Sequence, residues 1–464
     1  MFKCKHTSLL IVAAVNLLAT TGDITTSWPS PVFPKLYSND TRINPLPKPM
    51  TRTEESIIGS ILSIGACIGP IFLNLIIHPF GYKKTLLSLA VPHFVSFLLL
   101  GFTKRIYYFY IARFLAGLSV GAGYSLFSVY VGDIADDEKR GRMVLVTNIF
   151  WSAGSLIPLA IGPYTSISNF NLILSYLPIL YFILFLIVGA ESPYYLMRMK
   201  KEEEAEATLM YIKGCDKKDV AAELQKISDF IESSKDAKLS DILTDKVLRK
   251  NLLLCCTLIA TQELGGYSSI LYHLELIFRY AESNIPADKA ALIVGFVLFT
   301  SSFVAPFLVD VVGRRPLLIT SCIGMGTSLA LLGFFFHYHN THAHVHVIRF
   351  VPLLSLVSYI ISFNVGINTV PWTLVSELFP SKNKQAASSI ATSFSWCITA
   401  IVTFSYNYLV TRLSIFGTFW LFAGWCFVSC FFCFFFVPET KGKSFTEVQR
   451  MLYKDSSVPK QEVF

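Results

Sequence analysis

Residues 258–273, LIATQELGGYSSILYH, lie inside an apolar run that opens at Leu252 and is long enough to cross a bilayer. Yet they carry Gln262, Glu263, the pair Gly265–Gly266, Ser268, Ser269, Tyr272 and His273. Polar and ionisable groups at membrane depth are costly and persist where they face a watery cavity or a partner. A glycine pair loosens a helix there, which is tolerated only where backbone lines a cavity or is covered by protein. The stretch reads as one wall of a solute-binding cavity.

The surrounding composition agrees with a membrane setting. Of 464 residues, 53% are hydrophobic and only 15% charged, against about 25% charged in soluble domains. That excludes an ordinary water-soluble enzyme. The net charge of +8 resides in loops between apolar runs, with no basic-aromatic stripe of the kind that binds nucleic acid. The ten cysteines do not form a disulfide framework: most fall in apolar runs, and Cys4 and Cys215 fall in basic segments placed inside. Free thiols are expected.

Twelve apolar runs recur, at roughly 8–28, 56–77, 85–103, 107–131, 143–163, 172–190, 252–277, 289–309, 316–336, 347–375, 387–410 and 415–437, each near the ~20 residues a helical crossing needs. The expected fold class is an all-α integral membrane protein. The first run has Lys3 and Lys5 before it, as a secretory signal would, but its polar continuation to Trp28 lacks a clean stop and favours an uncleaved helix. Lys and Arg concentrate in alternate loops, most heavily in 191–250, which places both termini in the cytoplasm. The first outward loop then carries Asn39-Asp40-Thr41, a glycosylation acceptor on the correct side. Residues 191–250 read as a charged cytoplasmic connector with short helices at 200–210 and 219–232. It separates a six-helix bundle over 1–190 from another over 251–437, and a cytoplasmic tail occupies 438–464.

An internal repeat supports that division. Asp133 precedes Arg140 by seven residues, as Glu377 precedes Lys384; FGYKK at 80–84 parallels VGRRP at 312–316; Glu191-Ser192-Pro193 parallels PETKG at 438–442. Three signals in one order imply duplicated halves, as in transporter-like folds. Lys83, Lys84, Asp133, Arg140 and Glu191 of one half and Asp310, Arg314, Arg315, Glu377, Lys384 and Glu439 of the other collect at the inner mouth. They read either as a gate that bridges the inner ends or as topology-setting charges. Exposed pairs contribute only ~0–1 kcal/mol each, so gating requires a network.

Other features admit two readings each. Arg113, with Gly117, Gly121 and Gly123, suits close helix packing, with the arginine either structural or reaching the outer interface. Asp23 and Glu263 are embedded acids that either exchange a proton or serve as polar lining. Residues 337–346, HYHNTHAHVH, are a polar outer loop or a histidine cluster for metal or pH sensing; no acid or cysteine accompanies them, and no metal site is assigned. Trp372, after the breaker Pro371, and Trp396 either stack on a solute's apolar face or pack.

Taken together, Arg113-Phe114-Leu115-Ala116-Gly117 with Gly121, Asp310-Val311-Val312-Gly313-Arg314-Arg315, Glu377-Leu378-Phe379-Pro380 and Pro438-Glu439-Thr440-Lys441-Gly442 resemble the sugar-porter branch of the major facilitator superfamily over nearly the whole chain. SWPSPVFPKL at 27–36 and Thr53-Glu54-Glu55-Ser56 are most similar to its insect trehalose-transporter-like members. The resemblance implies twelve helices in two pseudo-symmetric bundles rocking about a central hexose or disaccharide site in the plasma membrane, working as a monomer without cofactor. It places sugar contacts on Asn148, Gln262, Glu263, Ser268, Trp372 and Trp396. The chain departs from the family pattern at several places: Asn148, Glu263 and Ser268 stand for Gln, Gln and Asn, and His273 for Tyr. His78, Pro79 and Tyr82 break the first-half inner motif, and Ile367 and Thr369 replace prolines. Facilitative transport, proton-coupled symport through Asp23 or Glu263, and a non-transporting sugar sensor on the same frame all remain open.

Overall fold

The computed structural model describes residues 7–135, 140–214, 217–233, 242, 244–341, 349–443 and 447. The side chains of Arg140 and Asp310, Cys4, Cys215, the histidines at 342–346 and most of the tail lie outside what it describes. Every regular element among the described residues is helical.

Among the described residues, eight helices are long and apolar enough to cross a membrane by length and composition, fewer than the twelve apolar runs. Most of the difference has a structural cause. Ser381–Phe436 is one continuous trace that bends at Ser414 (φ 64°) and contains two crossings. The fifth crossing, Arg140–Ile161, begins with side chains that lie outside the described residues, which removes it from that number. The seventh and eighth are broken: the seventh into Lys246–Leu264, Tyr267–Tyr272 and Leu274–Tyr280, the eighth into Ala287–Ser302 and Ala305–Val312. The remaining crossings are Thr7–Ser27 extended by Pro29–Leu36, the two arms of Arg52–Ser88 bent at Gly81 with Ala90–Phe102, Ile106–Ile134, Ile167–Val188, Arg314–Thr341 and Val351–Leu378. The connector forms Pro193–Arg198, Glu202–Lys213 and Lys217–Ser233, whose few buried apolar residues, Leu209, Val220 and Ile227, make a small core of their own.

Each half buries its own apolar core, and each lends side chains to the core of the other. Leu159 of the fifth crossing packs into the core of the second half, and Tyr272 of the seventh into the outer core of the first. Phe431, Phe434, Phe435 and Phe436 remain exposed, as a lipid-facing surface requires. Small residues set the tightest helix contact: a Cβ on Gly117 or Gly121 would strike the Leu62 or Ala66 backbone, and one on Gly65 or Gly69 that of Phe114 or Leu118. These glycines let the second and fourth crossings touch backbone to backbone. Arg113 does not reach the interface. It is fully buried, donates to the carbonyls of Thr25 and, at 3.3 Å, Ile58, and lies 5.3 Å from the Trp28 ring, so it ties three helices of the first half together.

Candidate functional site: a polar centre between two halves

The centre is built by helix breaks. Gly266 adopts φ +87°, a left-handed conformation natural to glycine, and ends the straight part of the seventh crossing. In the tenth, a π-turn spans Phe363–Ile367 just before Pro371. An α-helix would bond the Ile367 carbonyl to the amide of residue 371, but proline has no N–H. Gln262 supplies the missing donor: its Nε2 lies 2.6 Å from the Ile367 carbonyl and 3.2 Å from that of Asn368. The Gln262 amide donor is therefore committed to backbone, and Oε1 is the atom left for a solute hydroxyl.

Around it, Glu263 is buried against Ser268 and Thr399, with its Oε2 buried and unpartnered. Asn368 is exposed midway along its helix; its Nδ2 donates to Asn364 Oδ1 (2.9 Å), and Asn364 in turn donates to the Leu298 carbonyl and Ser301 Oγ. The first half presents an acid and aromatics. Asp23 accepts from Tyr124 Oη (2.7 Å) and Ser155 Oγ (3.0 Å). The Tyr124 ring stacks on Trp151 at 4.6 Å and meets the edge of Trp396, from the other half, at 5.5 Å. Trp151 Nε1 is buried without an acceptor. Ser152 and Ser302 join the halves at 2.8 Å.

The structure thus brings Gln262, Glu263 and Ser268 together and sets Trp396 against Tyr124. Asn148 is half-buried and its carbonyl accepts from Ser152 Oγ; Trp372 is half-buried against the second core. Tyr124, Trp151, Ser155 and Asn368 were not singled out from the sequence. The signal available was slight: aromatic and hydroxyl residues in apolar runs look like packing until their partners are known.

Above the centre, at the ends the sequence pattern places outward, the two halves are closed onto each other. Glu55 Oε2 accepts from Tyr37 Oη (2.7 Å) and from Asn407 Nδ2 (2.8 Å), and Arg52 donates to Thr411 Oγ1 (3.1 Å). His273 lies against Glu55 (3.3 Å) and stacks on Tyr406 at 4.3 Å. The Glu275 amide donates to Ser30 Oγ. Asn39 is exposed in the loop beyond.

Below the centre the repeat is visible atom by atom. Gly81 (φ +81°) and Gly313 (φ +105°) turn their chains so that following amides face a carboxylate. Glu191 accepts from the amides of Tyr82 (2.7 Å) and Lys83 (3.2 Å), and Glu439 from those of Arg314 and Arg315 (both 3.1 Å). Ser192 then donates to Asp133 (2.5 Å) as Thr440 donates to Glu377 (2.6 Å), and Arg314 pairs with Glu377 at 2.8 Å. These bonds join residues of the same half. Burial pushes the Glu191 carboxyl above its ordinary range despite its backbone donors. Burial acts the same way on Glu439, but the amides of Lys441, Arg314 and Arg315 and the Arg314 charge outweigh it and hold that carboxyl low. Lys84 is exposed, as is Lys384.

Pro70, Leu73 and Ile77, Ser125 and Val129, and Ser388 and Ser389 border a crevice between the halves of ≈ 20 Å³, room for about one water. A larger groove of ≈ 550 Å³, lined by Val95, Leu98, Leu99, Phe102 and Tyr108 with Lys104 and Arg105 at its rim, lies on the outer flank of the third and fourth crossings. None of its lining residues belongs to the polar centre.

A family model described as sugar (and other) transporter matches residues 19–452. The chain belongs to that family. The sugar-transporter family member is 33% identical over 451 residues to a facilitated trehalose transporter of Polypedilum vanderplanki, covering 96% of this chain and 88% of the relative. It is 30% identical to one of Bombyx mori, covering 88% and 81%. Among solved structures, the xylose transporter XylE of E. coli in a partially occluded inward-open conformation superposes with TM-score 0.75 at 22% identity, over 93% of this chain and 99% of that one. The proton:xylose symporter XylE bound to 6-bromo-6-deoxy-D-glucose gives 0.73 at 23%, over 95% and 99%. The fold is that of the major facilitator superfamily, all-helical and multi-pass in the membrane, as the sequence resemblance implied.

Proposed function

We propose that this protein moves a hexose or a trehalose-like disaccharide across the plasma membrane by facilitated alternating access, without covalent chemistry or cofactor. The observation that carries the reading is the polar centre between the halves, lying beneath outer ends bonded across both. Its curated relatives bear the name facilitated trehalose transporter, which favours an uncoupled mode. In this reading both termini are cytoplasmic, Asn39 is glycosylated and a monomer suffices. Residues 1–190 and 251–437 rock as two bundles about the site, joined by the connector at 191–250 and followed by the tail at 438–464.

Gln262 Oε1, Asn148, Ser268 and the free oxygen of Glu263 orient hydroxyls, while Trp396 and Trp372 offer apolar faces to the sugar ring. The inner groups, Lys83, Lys84, Asp133, Arg140, Glu191, Asp310, Arg314, Arg315, Glu377, Lys384 and Glu439, form the cytoplasmic gate. With the outer ends closed, the clamps described above stay within their halves, as an open inner side requires. Uptake of labelled trehalose, glucose, fructose and a polyol by cells expressing the chain is the direct test; absence of saturable uptake of any of them would overturn the reading.

Proton-coupled symport is the second reading, and the placement of Asp23 favours it: a carboxyl beside the central aromatics, held by Tyr124 and Ser155 rather than by an arginine. Facilitated transport predicts that Asp23→Asn keeps uptake and that an uncoupler leaves wild-type uptake unchanged. Uncoupler-sensitive accumulation that vanishes in Asp23→Asn would establish symport instead.

A further inference from the structure

The outer closure contains a contact whose chemistry is incomplete without a proton. His273 Nδ1 lies 2.7 Å from the Ser269 carbonyl oxygen. A carbonyl only accepts, so Nδ1 carries hydrogen. The other ring nitrogen, Nε2, lies 3.3 Å from Glu55 Oε1, and neither atom has another hydrogen-bond partner. Both residues are at least nine-tenths buried, His273 at 5% exposure and Glu55 at 3%. A neutral ring with hydrogen on Nδ1 turns a lone pair toward a carboxylate oxygen, and two buried lone pairs at that separation repel. Glu55 Oε2 is already occupied by the Tyr37 and Asn407 donors, so the carboxylate accepts there. The remaining position for a proton is between Nε2 and Oε1.

The neighbours do not supply that charge by other means. Around the pair stand Tyr37 from the end of the first crossing, Tyr280 from the seventh and Tyr406 from the eleventh, with Tyr272 and Glu275 beside His273 in sequence. The nearby cations are engaged elsewhere: Arg52 with Thr411, Arg113 with the backbone of Thr25 and Ile58, Lys35 with the carbonyls of Gly162 and Thr165 and Arg279 with Glu275 (2.8 Å).

We propose that Glu55 and His273, one from each half, form the outer latch of the transport cycle by sharing a proton that is taken up from outside when the mouth closes and returned to the same side when it opens. The proposal rests on the alternating-access reading and deepens it. Because both partners open to the same compartment, no proton crosses the membrane: the transporter is pH-sensitive without being proton-coupled. The sign follows from linkage. The closed mouth binds one proton more than the open mouth, so closure is favoured at low external pH and lost as external pH rises, by at most about tenfold per pH unit for one proton.

Ser63 offers a reporter that needs no sugar. It is fully buried, two turns deeper than Glu55 on the same helix and beside Tyr272. In cells expressing Ser63→Cys, labelling by a membrane-impermeant maleimide is measured between external pH 6 and 8, with the unsubstituted chain as background. The same series in Ser63→Cys/His273→Tyr cancels the thiol's own titration, since tyrosine keeps a ring and a donor to Glu55 but does not titrate in this range. The expected ratio of the two rates rises with pH, several-fold across the range; a ratio independent of pH overturns the latch. Should His273→Tyr fail to reach the surface, Glu55→Gln, which cannot hold the proton, replaces it with the same expectation. Uptake at external pH 6 and 8 with an uncoupler present adds a second reading: a persisting pH effect supports the latch, and its disappearance overturns it. A pH-dependent labelling ratio in cells that take up no sugar would remove the transport reading and leave the latch standing.

Discussion

Replacing Gln262 by alanine separates two duties of one side chain. The amide Nε2 is the donor for the Ile367 carbonyl, at 2.6 Å, and a weaker one for Asn368, at 3.2 Å; Ile367 itself is fully buried. Removing the donor leaves that acceptor unsatisfied, at a cost of about 1–3 kcal/mol. Losing Oε1 removes one neutral hydrogen bond to a solute hydroxyl, about 0.5–1.5 kcal/mol, or about 2–12-fold in half-saturation concentration. Gln262→Ala should therefore melt at a lower temperature in detergent and show uptake reduced several-fold or more at low sugar, with surface expression retained. Gln262→Glu keeps an oxygen in place but turns a carboxylate toward two carbonyls, so it should be the less stable of the two. An alanine variant with unchanged melting and unchanged uptake refutes both duties, and lowered melting with an unchanged half-saturation concentration reduces Gln262 to a strut.

Gly266→Ala forces a side chain into φ +87° with its Cβ 2.5 Å from the Phe422 ring; the left-handed backbone costs about 1–2 kcal/mol and the overlap about 1–3 kcal/mol, so a thermal melt equal to wild type would contradict the assigned break. Glu439→Gln weakens three amide bonds, those of Arg314, Arg315 and Lys441, and should speed amide exchange at those three positions, with no change there as the refuting result. The two clamps also differ in pH response. Glu439, held low, keeps its bonds above the ordinary carboxylate range and loses them only as pH falls further. Glu191, pushed high by burial, takes up a proton first on acidification. Exchange at 82–83 should therefore accelerate relative to 314–315 as the pH is lowered toward 5, after correction for intrinsic rates.

Hydrophobicity at membrane depth is a local property, and so the apolar runs, the glycine break at 265–266 and the repeated inner motifs were legible in the linear chain. Partnerships were not. Pro371 announces that the Ile367 carbonyl lacks its usual donor, but nothing in the sequence says that a glutamine a hundred residues earlier fills the gap. The inner acids read as a gate between halves; in this conformation Glu191 and Glu439 instead grip backbone amides of their own half, through a glycine turn that only the folded chain displays. The sequence favoured a structural role for Arg113 over one reaching the outer interface, and its bonds to the Thr25 and Ile58 carbonyls agree with the structural role. His273 was legible as a departure from the family pattern, yet its significance depends on Glu55, Tyr37, Ser269 and Asn407, which lie on four separate elements.

The duplication explains why the inner ends match and the centre does not. A carboxylate held by two amides past a positive-φ glycine depends on backbone geometry, so both halves retain it with little regard to the neighbouring side chains. The flanking hydroxyl, Ser192 in one half and Thr440 in the other, survives for the same reason. No such constraint acts at the centre, where each group is fixed by a partner peculiar to its half. The second half breaks its seventh and tenth crossings and contributes Gln262, Glu263 and Asn368; the first contributes Asp23, Tyr124 and Trp151. A sugar needs both kinds of surface, hydrogen-bonding groups for its hydroxyls and an aromatic face for its C–H bonds, and in the site proposed above both halves border it, Asn148 from the first and Gln262, Glu263, Ser268, Trp372 and Trp396 from the second. A solute held this way touches both halves, so its binding energy is available to draw them together, and that is the physical requirement for coupling occupancy to the movement of the bundles.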